Sequence, residues 1–151
     1  MLPVGSFRIV HAQELKPGDF ALLHILENAP AIVVKHNEYT VAVLLEGDLN
    51  RSHTFAVEEI SGYATIIDEW KIEIDHRVVE NLDHMNNRPG SLVLRGNSLS
   101  IAITPPSHAG YVVLPICDLP SKSSGTAFGF SKWRIVRRVK DREIVLFERT
   151  T

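Results

Sequence analysis

Four side chains near the middle of the sequence could together bind a divalent metal ion. These residues are His76, Glu80, Asp83 and His84. In a helix, the spacing i, i+4 and i+8 brings both histidines and the glutamate to one side, next to the aspartate. Imidazole and carboxylate groups are ligands for zinc, manganese or iron. An amphipathic helix also needs a solvated polar face, and we favour this simpler interpretation over the metal site.

These four residues lie in a predicted amphipathic helix over residues 75–87. Its apolar side is formed by Val78, Val79, Leu82 and Met85. Asp75 is suited to the N-cap, and the Asn86-Asn87 pair before Pro89 is typical of a helix end. Because three turns of helix are not stable alone, we expect the apolar side to pack on neighbouring β-structure.

A basic strand near the end of the sequence is the second candidate site. Its candidate binding residues are Trp133, Arg134, Arg137 and Arg138. The preceding Phe128-Gly129-Phe130 is similar to the aromatic core of the RNP1 segment of RRM domains, and aromatic rings beside arginines suit single-stranded RNA. However, Thr126 and Ala127 stand where that segment has a basic residue and a glycine, and the helix–strand order of RRM domains is missing. Core aromatics followed by an exposed arginine strand are therefore the favoured alternative.

Strict alternation along residues 133–139 places Arg134 and Arg138 on one face and Arg137 on the other. The face of Arg137 is otherwise apolar, so this arginine must pair with a carboxylate or leave the core through a bulge at Arg137-Arg138. We expect the opposite face to meet acidic residues of the first half or of a neighbouring subunit. The favoured partners are Glu46, Asp48, Glu58 and Glu59.

Charge is distributed unevenly between the two halves of the chain. Residues 1–75 contain 5 Lys and Arg against 12 Asp and Glu, a net charge of −7. Residues 76–151 contain 11 against 6, a net charge of +5. The simpler interpretation is that the halves attract each other within one fold. The alternative is that the basic half meets an acidic partner, such as the acidic half of a neighbouring copy.

The composition is typical of a soluble globular protein, with 44% hydrophobic and 23% charged residues in a chain of 151. The single cysteine, Cys117, excludes an intramolecular disulfide and a cysteine-built zinc site, and it fits a reducing compartment. The sequence has no signal-peptide pattern and no apolar run near the roughly 18–20 residues that span a membrane. We therefore expect a cytoplasmic protein without membrane association.

Short segments rich in Val, Ile and aromatic residues, separated by turn residues, predict a mainly β fold whose strands include residues 127–130 and 133–139. Landmarks recur in the same order in both halves. Pro17-Gly18 matches Pro89-Gly90, residues 31–34 match 100–103, and Trp70 matches Trp133. This order predicts two degenerate β repeats, residues 15–73 and 88–149, that form small barrels or a sandwich. The helix over residues 75–87 would link them into a single compact unit over residues 1–151.

The dense β content, the repeat and the lack of a convergent catalytic set favour a non-catalytic interaction or assembly module. We expect a homo-oligomer or a protein partner. One alternative is a metal-binding protein or hydrolase that uses the polar face of the helix. Another is single-stranded nucleic-acid binding through the C-terminal basic hairpin. Metal analysis, together with the absorbance ratio that reveals bound nucleic acid, distinguishes these classes.

Overall fold

A computed structural model describes residues 2–46, 54–81, 90–96, 98–103, 112–118 and 127–150 of the chain. The fold is mainly β, as the sequence predicts. The strands are β1 Phe7–His11, β2 Phe20–Leu23, β3 Ala29–His36, β4 Tyr39–Leu44, β5 Thr54–Ala56, β6 Tyr63–Ile67, β7 Trp70–Ile74, β8 Val79–Asn81, β9 Leu92–Arg95, β10 Ser98–Ile103, β11 Val112–Asp118, β12 Ala127–Phe130, β13 Trp133–Val139 and β14 Arg142–Arg149. Three short 3₁₀ helices span Ala12–Glu14, His24–Leu26 and Val57–Glu59. None of the helices in the described residues is long and apolar enough to cross a membrane.

The chain divides into two compact units. Unit 1 comprises residues 1–47 and 53–70, and unit 2 comprises residues 48–52 and 71–151. The single compact unit expected over residues 1–151 stays a prediction.

Unit 1 is built on a six-stranded antiparallel sheet in the order β1-β6-β2-β3-β4-β5. One face of the sheet packs into an apolar cluster that includes Ala21, Val33 and Ile66. On β3, both Ile32 and Val33 are fully buried, although adjacent strand residues point to opposite faces. Burial on both faces therefore explains why this strand is a continuous apolar run and does not alternate with polar residues.

The described residues of unit 2 form two sheets. The first has the order β11-β10-β9-β12-β8, and the second has the order β14-β13-β7. At the start of β13, the Trp133 indole N–H donates to the Gly90 carbonyl at 2.9 Å, and its ring lies 5.2 Å from the ring of Phe147. These contacts connect the turn before β9 with the two strands of the C-terminal hairpin.

The C-terminal hairpin contains a bulge. The register between β13 and β14 shifts at Ile135 and Val136, and both residues are buried. A bulge at Arg137-Arg138 was one of two ways in which the sequence could accommodate Arg137, and the observed bulge lies two residues earlier. Arg137 itself is only 8% exposed. The bulge shifts the alternation of side chains between the two faces of the sheet before the strand reaches Arg137.

The predicted helix over residues 75–87 is wrong in the part that the structure describes. Residues 79–81 form strand β8, which pairs with β12, so that Val79 lies opposite Phe130. The adjacent β-branched residues Val78 and Val79 favour extended backbone, and pairing with β12 satisfies the backbone groups that a short helix would have bonded internally. Residues 82–87 lie outside the described residues.

Strand pairing follows the same scheme in both units. The order β1-β6-β2-β3-β4 in unit 1 corresponds to β8-β12-β9-β10-β11 in unit 2. The registers correspond as well: Phe20 pairs with Ile32 and Leu92 with Ile101, while Ala21 pairs with Ile66 and Val93 with Gly129. All three sheets are open, and none of them closes into a barrel within the described residues.

Candidate binding surfaces

An open groove of about 810 Å³ in unit 2 contains three of the candidate residues, His76, Trp133 and Arg134. It is lined by residues 73–77, 132–134 and 148–150. Strand β7 and the turn after it supply one side, and the start of β13 and the end of β14 supply the other. The groove therefore combines part of the proposed metal site with part of the proposed basic site.

Asp75 organises the turn that follows β7. Its backbone N–H donates to the Lys132 carbonyl at 3.0 Å, and its own carbonyl accepts the Val78 N–H at 3.1 Å. One carboxylate oxygen accepts the Arg77 backbone N–H at 3.1 Å and the Arg77 Nε–H at 2.9 Å. Asp75 thus caps a tight turn, whereas the sequence predicted that it would cap a helix.

The paired Arg77 side chain also changes the acidity of Asp75. The largest cause is the hydrogen bond from the Arg77 side chain to the carboxylate, followed by the hydrogen bond from the Arg77 backbone N–H. Together they lower the pKa of Asp75 to about 2. The Arg77 pKa is raised by the same side-chain hydrogen bond. Asp75 therefore remains ionised through the neutral range, and a carboxylate in this state is not suited to donate a proton.

Arg134 lies at the centre of an ion-pair network across the three-stranded sheet. Its Nε donates to Glu73 on β7 at 2.7 Å, and its terminal NH2 nitrogen donates to Glu143 on β14 at 2.8 Å. The hydrogen bond with Glu73 is the main cause that raises the pKa of Arg134. Both described partners are acidic, and Glu73 belongs to the first half of the chain, as expected. Neither is one of the four favoured residues, of which Asp48 lies outside the described residues.

The other members of the basic site differ in accessibility. Trp133 is 3% exposed, so its ring packs inside unit 2 and offers no open face for a stacked base. Arg137 is buried on the same strand. Arg138 is exposed and lies 3.9 Å from the Glu143 carboxylate. The structure therefore does not bring these four residues together on one accessible surface.

The proposed metal ligands are only partly described. His76 is exposed in the turn after β7, and Glu80 lies on β8 opposite Gly129. Asp83 and His84 lie outside the described residues. Among the residues that are described, no group of three or more His, Cys, Asp or Glu could hold a metal ion. The helical spacing that suggested this site is lost at β8, and the metal site stays a prediction.

Unit 1 exposes apolar side chains beside its edge strand β1. Ile9 is 58% exposed on β1, and Tyr63 is 51% exposed on the neighbouring β6. The Tyr63 ring stacks on His11 with their centroids 4.7 Å apart. All three lie on the sheet face opposite the apolar cluster, because Arg8 and Val10 are paired with the cluster residues Ile66 and Ala64. We refer to Ile9, His11 and Tyr63 as the β1 surface.

Unit 2 exposes apolar side chains in the corresponding place. Val79 on the edge strand β8 is 48% exposed, and Phe128 on β12 is 41% exposed. Both lie on the face opposite the smaller apolar cluster of unit 2, because Gly129 pairs with Val93 of that cluster. We refer to Val79 and Phe128 as the β8 surface.

Neither of these surfaces was predicted from the sequence. Ile9 and Tyr63 are 54 residues apart in the sequence, and their proximity depends on the pairing of β1 with β6. Val79 was assigned to the buried side of a helix, whereas the strand exposes it. The available signal was the β-branched Val78-Val79 pair, which is more typical of a strand than of a helix.

Comparison with known proteins gives one match to a family. The family described as "Uncharacterised protein y4lG" matches residues 10–151 of the chain. No curated protein and no solved structure matches the chain.

Proposed function

The chain belongs to the y4lG family, and we propose that it is a non-catalytic β-rich assembly module that associates with further copies of itself. The observation that carries this proposal is the exposure of apolar side chains beside an edge strand in each unit, on the β1 surface and on the β8 surface. Edge strands present unpaired backbone N–H and C=O groups, and exposed apolar side chains beside them gain free energy when a partner covers them.

A tandem duplication is part of this proposal. The shared strand order and registers of the two units support residues 15–73 and 88–149 as repeats of one β-module. Trp70 and Trp133 each begin a strand three residues after the end of β6 and β12, at Ile67 and Phe130. A duplicated module would give each copy of the chain two related binding surfaces, and such a protein can form closed or extended assemblies.

The groove in unit 2 favours the same class of function over catalysis. Asp75 is paired with Arg77, and Glu73 is paired with Arg134. Charged groups that are bound to each other hold their surroundings in position, whereas a general acid or base needs a pKa near the working pH. In this proposal, the ion pairs of the groove stabilise the three-stranded sheet and take no part in catalysis.

The experiment that tests this function is the mass of the full-length protein in solution over a wide range of concentrations. We expect a mass above that of the monomer, with dissociation on dilution, by sedimentation velocity. The same preparation should contain no stoichiometric metal, and its absorbance ratio should be that of protein free of nucleic acid. A monomer that contains one metal ion per chain would contradict the proposal and favour the metal-binding alternative. A monomer with bound nucleic acid would favour the nucleic-acid alternative.

A further inference from the structure

We propose that strand β1 of one copy pairs antiparallel with strand β8 of a second copy, with Arg8 opposite Glu80 of the partner subunit. This inference rests on the proposed assembly function and specifies the two surfaces that meet. Within the described residues, β1 pairs only with β6, and β8 pairs only with β12. In the part of the chain that the structure describes, each strand therefore has one edge without a strand partner, and such an edge can pair with a strand of another chain.

The register of this pairing matches apolar residues with each other. In an antiparallel pair with Arg8 opposite Glu80 of the partner subunit, Ile9 lies opposite Val79 of the partner subunit. Ile9 and Val79 are both about half exposed, and each lies on the face opposite the apolar cluster of its own unit. The pairing would thus join the sheet of unit 1 to the β8 sheet of the partner subunit, with the faces opposite the two apolar clusters on the same side. It would cover both exposed side chains.

Charge favours the β1–β8 pairing over a pairing of two β1 strands or of two β8 strands. A contact between two β1 strands would bring together two halves with a net charge of −7, and a contact between two β8 strands would bring together two halves with +5. The β1–β8 contact joins halves of opposite charge and also places an arginine opposite a glutamate. Opposite charges directly across a strand pair stabilise it, and like charges destabilise it.

A charge-swap experiment on the full-length protein tests the register. We expect Arg8→Glu and Glu80→Arg each to weaken association by about tenfold, because each places like charges opposite each other. The double variant Arg8→Glu, Glu80→Arg should return to within about threefold of the wild-type dissociation constant. Sedimentation velocity at low salt measures all four proteins, and circular dichroism melting checks that each variant is folded.

Two further variants are matched controls. Asp68→Asn removes the carboxylate that lies 3.8 Å from Arg8 in the same chain, and it should leave association unchanged. Val145→Lys places a charge on the edge strand β14, where Val145 is 47% exposed, and it should also leave association unchanged. Ile9→Lys and Val79→Lys, at similarly exposed positions, should each prevent association.

The outcomes separate this inference from the proposed function. If the wild type assembles but the double charge swap stays as weak as the single variants, the β1–β8 register is wrong. If Val145→Lys dissociates the assembly while Ile9→Lys does not, the interface lies at β14 and this inference is overturned. A wild-type protein that stays monomeric at every concentration contradicts the proposed function as well.

Discussion

Gly18 and Gly90 adopt the same backbone conformation and make the same hydrogen bond in the two units. Their φ angles are 96° and 86°, in the left-handed region that favours glycine. The Gly18 N–H donates to the Val33 carbonyl at 2.8 Å, and the Gly90 N–H donates to the Ala102 carbonyl at 2.7 Å. This bond fixes the entry of the chain into β2 in unit 1 and into β9 in unit 2.

The two glycines differ in the space around them, and this difference gives a prediction. A Cβ at Gly18 would meet no atom within 4 Å, whereas a Cβ at Gly90 would lie 2.5 Å from a terminal nitrogen of the buried Arg149. We expect Gly18→Ala to cost about 1 kcal/mol through backbone strain alone. Gly90→Ala should cost about 2–3 kcal/mol, because the guanidinium must also move.

Urea unfolding of both alanine variants measures these free energies. Gly5→Ala is a suitable control, since Gly5 also has a positive φ with no atom within 4 Å of its added Cβ. Equal losses at Gly18 and Gly90 would show that Arg149 moves away without cost, contrary to this expectation.

Local signals in the sequence were sufficient to predict most strands. The predicted strands 127–130 and 133–139 have the bounds of β12 and β13, because apolar alternation and flanking turn residues are properties of neighbouring residues. Strand β8 was missed for the opposite reason. Its partner β12 begins 46 residues after the end of β8, and nothing within residues 75–87 encodes that pairing. Val79 therefore fitted a helical stripe, although the β-branched Val78-Val79 pair is more typical of a strand.

The candidate site was predicted less completely than the fold, for a related reason. An acidic partner for Arg134 was expected from the net charge of −7 in residues 1–75, and Glu73 lies in that half of the chain. The described partners are not among the carboxylates that were favoured from the sequence, because the identity of the partner depends on which strands flank β13. These strands are β7 and β14, which supply Glu73 and Glu143.

The Arg134 network gives a second prediction. Arg134→Gln should lower the urea midpoint slightly at low salt, because the pairs with Glu73 and Glu143 are half exposed and partly screened by solvent. The difference from the wild type should disappear in about 1 M sodium chloride. Arg138→Gln is the control, since Arg138 is more exposed and its carboxylate is 3.9 Å away. A loss that persists at high salt would show that packing of the Arg134 stem, and not charge, dominates.

The indole of Trp133 gives a third prediction. Trp133→Phe keeps an aromatic ring near Phe147 but removes the N–H that donates to the Gly90 carbonyl. We expect a loss of about 1–3 kcal/mol in the free energy of unfolding, since the part-buried carbonyl loses its donor. Trp70→Phe is the matched control, because Trp70 is only half buried and packs against Phe20. Each variant retains one of the two tryptophans, so fluorescence still reports unfolding. Equal losses in both variants would contradict a specific role for the indole hydrogen bond.

The turn after β7 gives a prediction about pH. The Asp75 pKa is lowered to about 2, so its ionised form is bound more favourably in the folded protein than in the unfolded chain. This contribution to stability is complete above the ordinary pKa of about 4 and is lost as the pH falls through about 2. A carbon-detected NMR titration of the Asp75 carboxyl should therefore have its midpoint near pH 2.

The same titration in two variants assigns the cause. In Arg77→Gln, the Asp75 pKa should rise toward its ordinary value but not reach it, because the backbone N–H of residue 77 still donates to the carboxylate. Arg77→Lys retains the positive charge without the two-pronged hydrogen bond, so its midpoint should lie between those of Arg77→Gln and the wild type. If all three proteins titrate with the same midpoint, the Arg77 side chain does not set the acidity of Asp75, and the turn is held by its backbone hydrogen bonds alone.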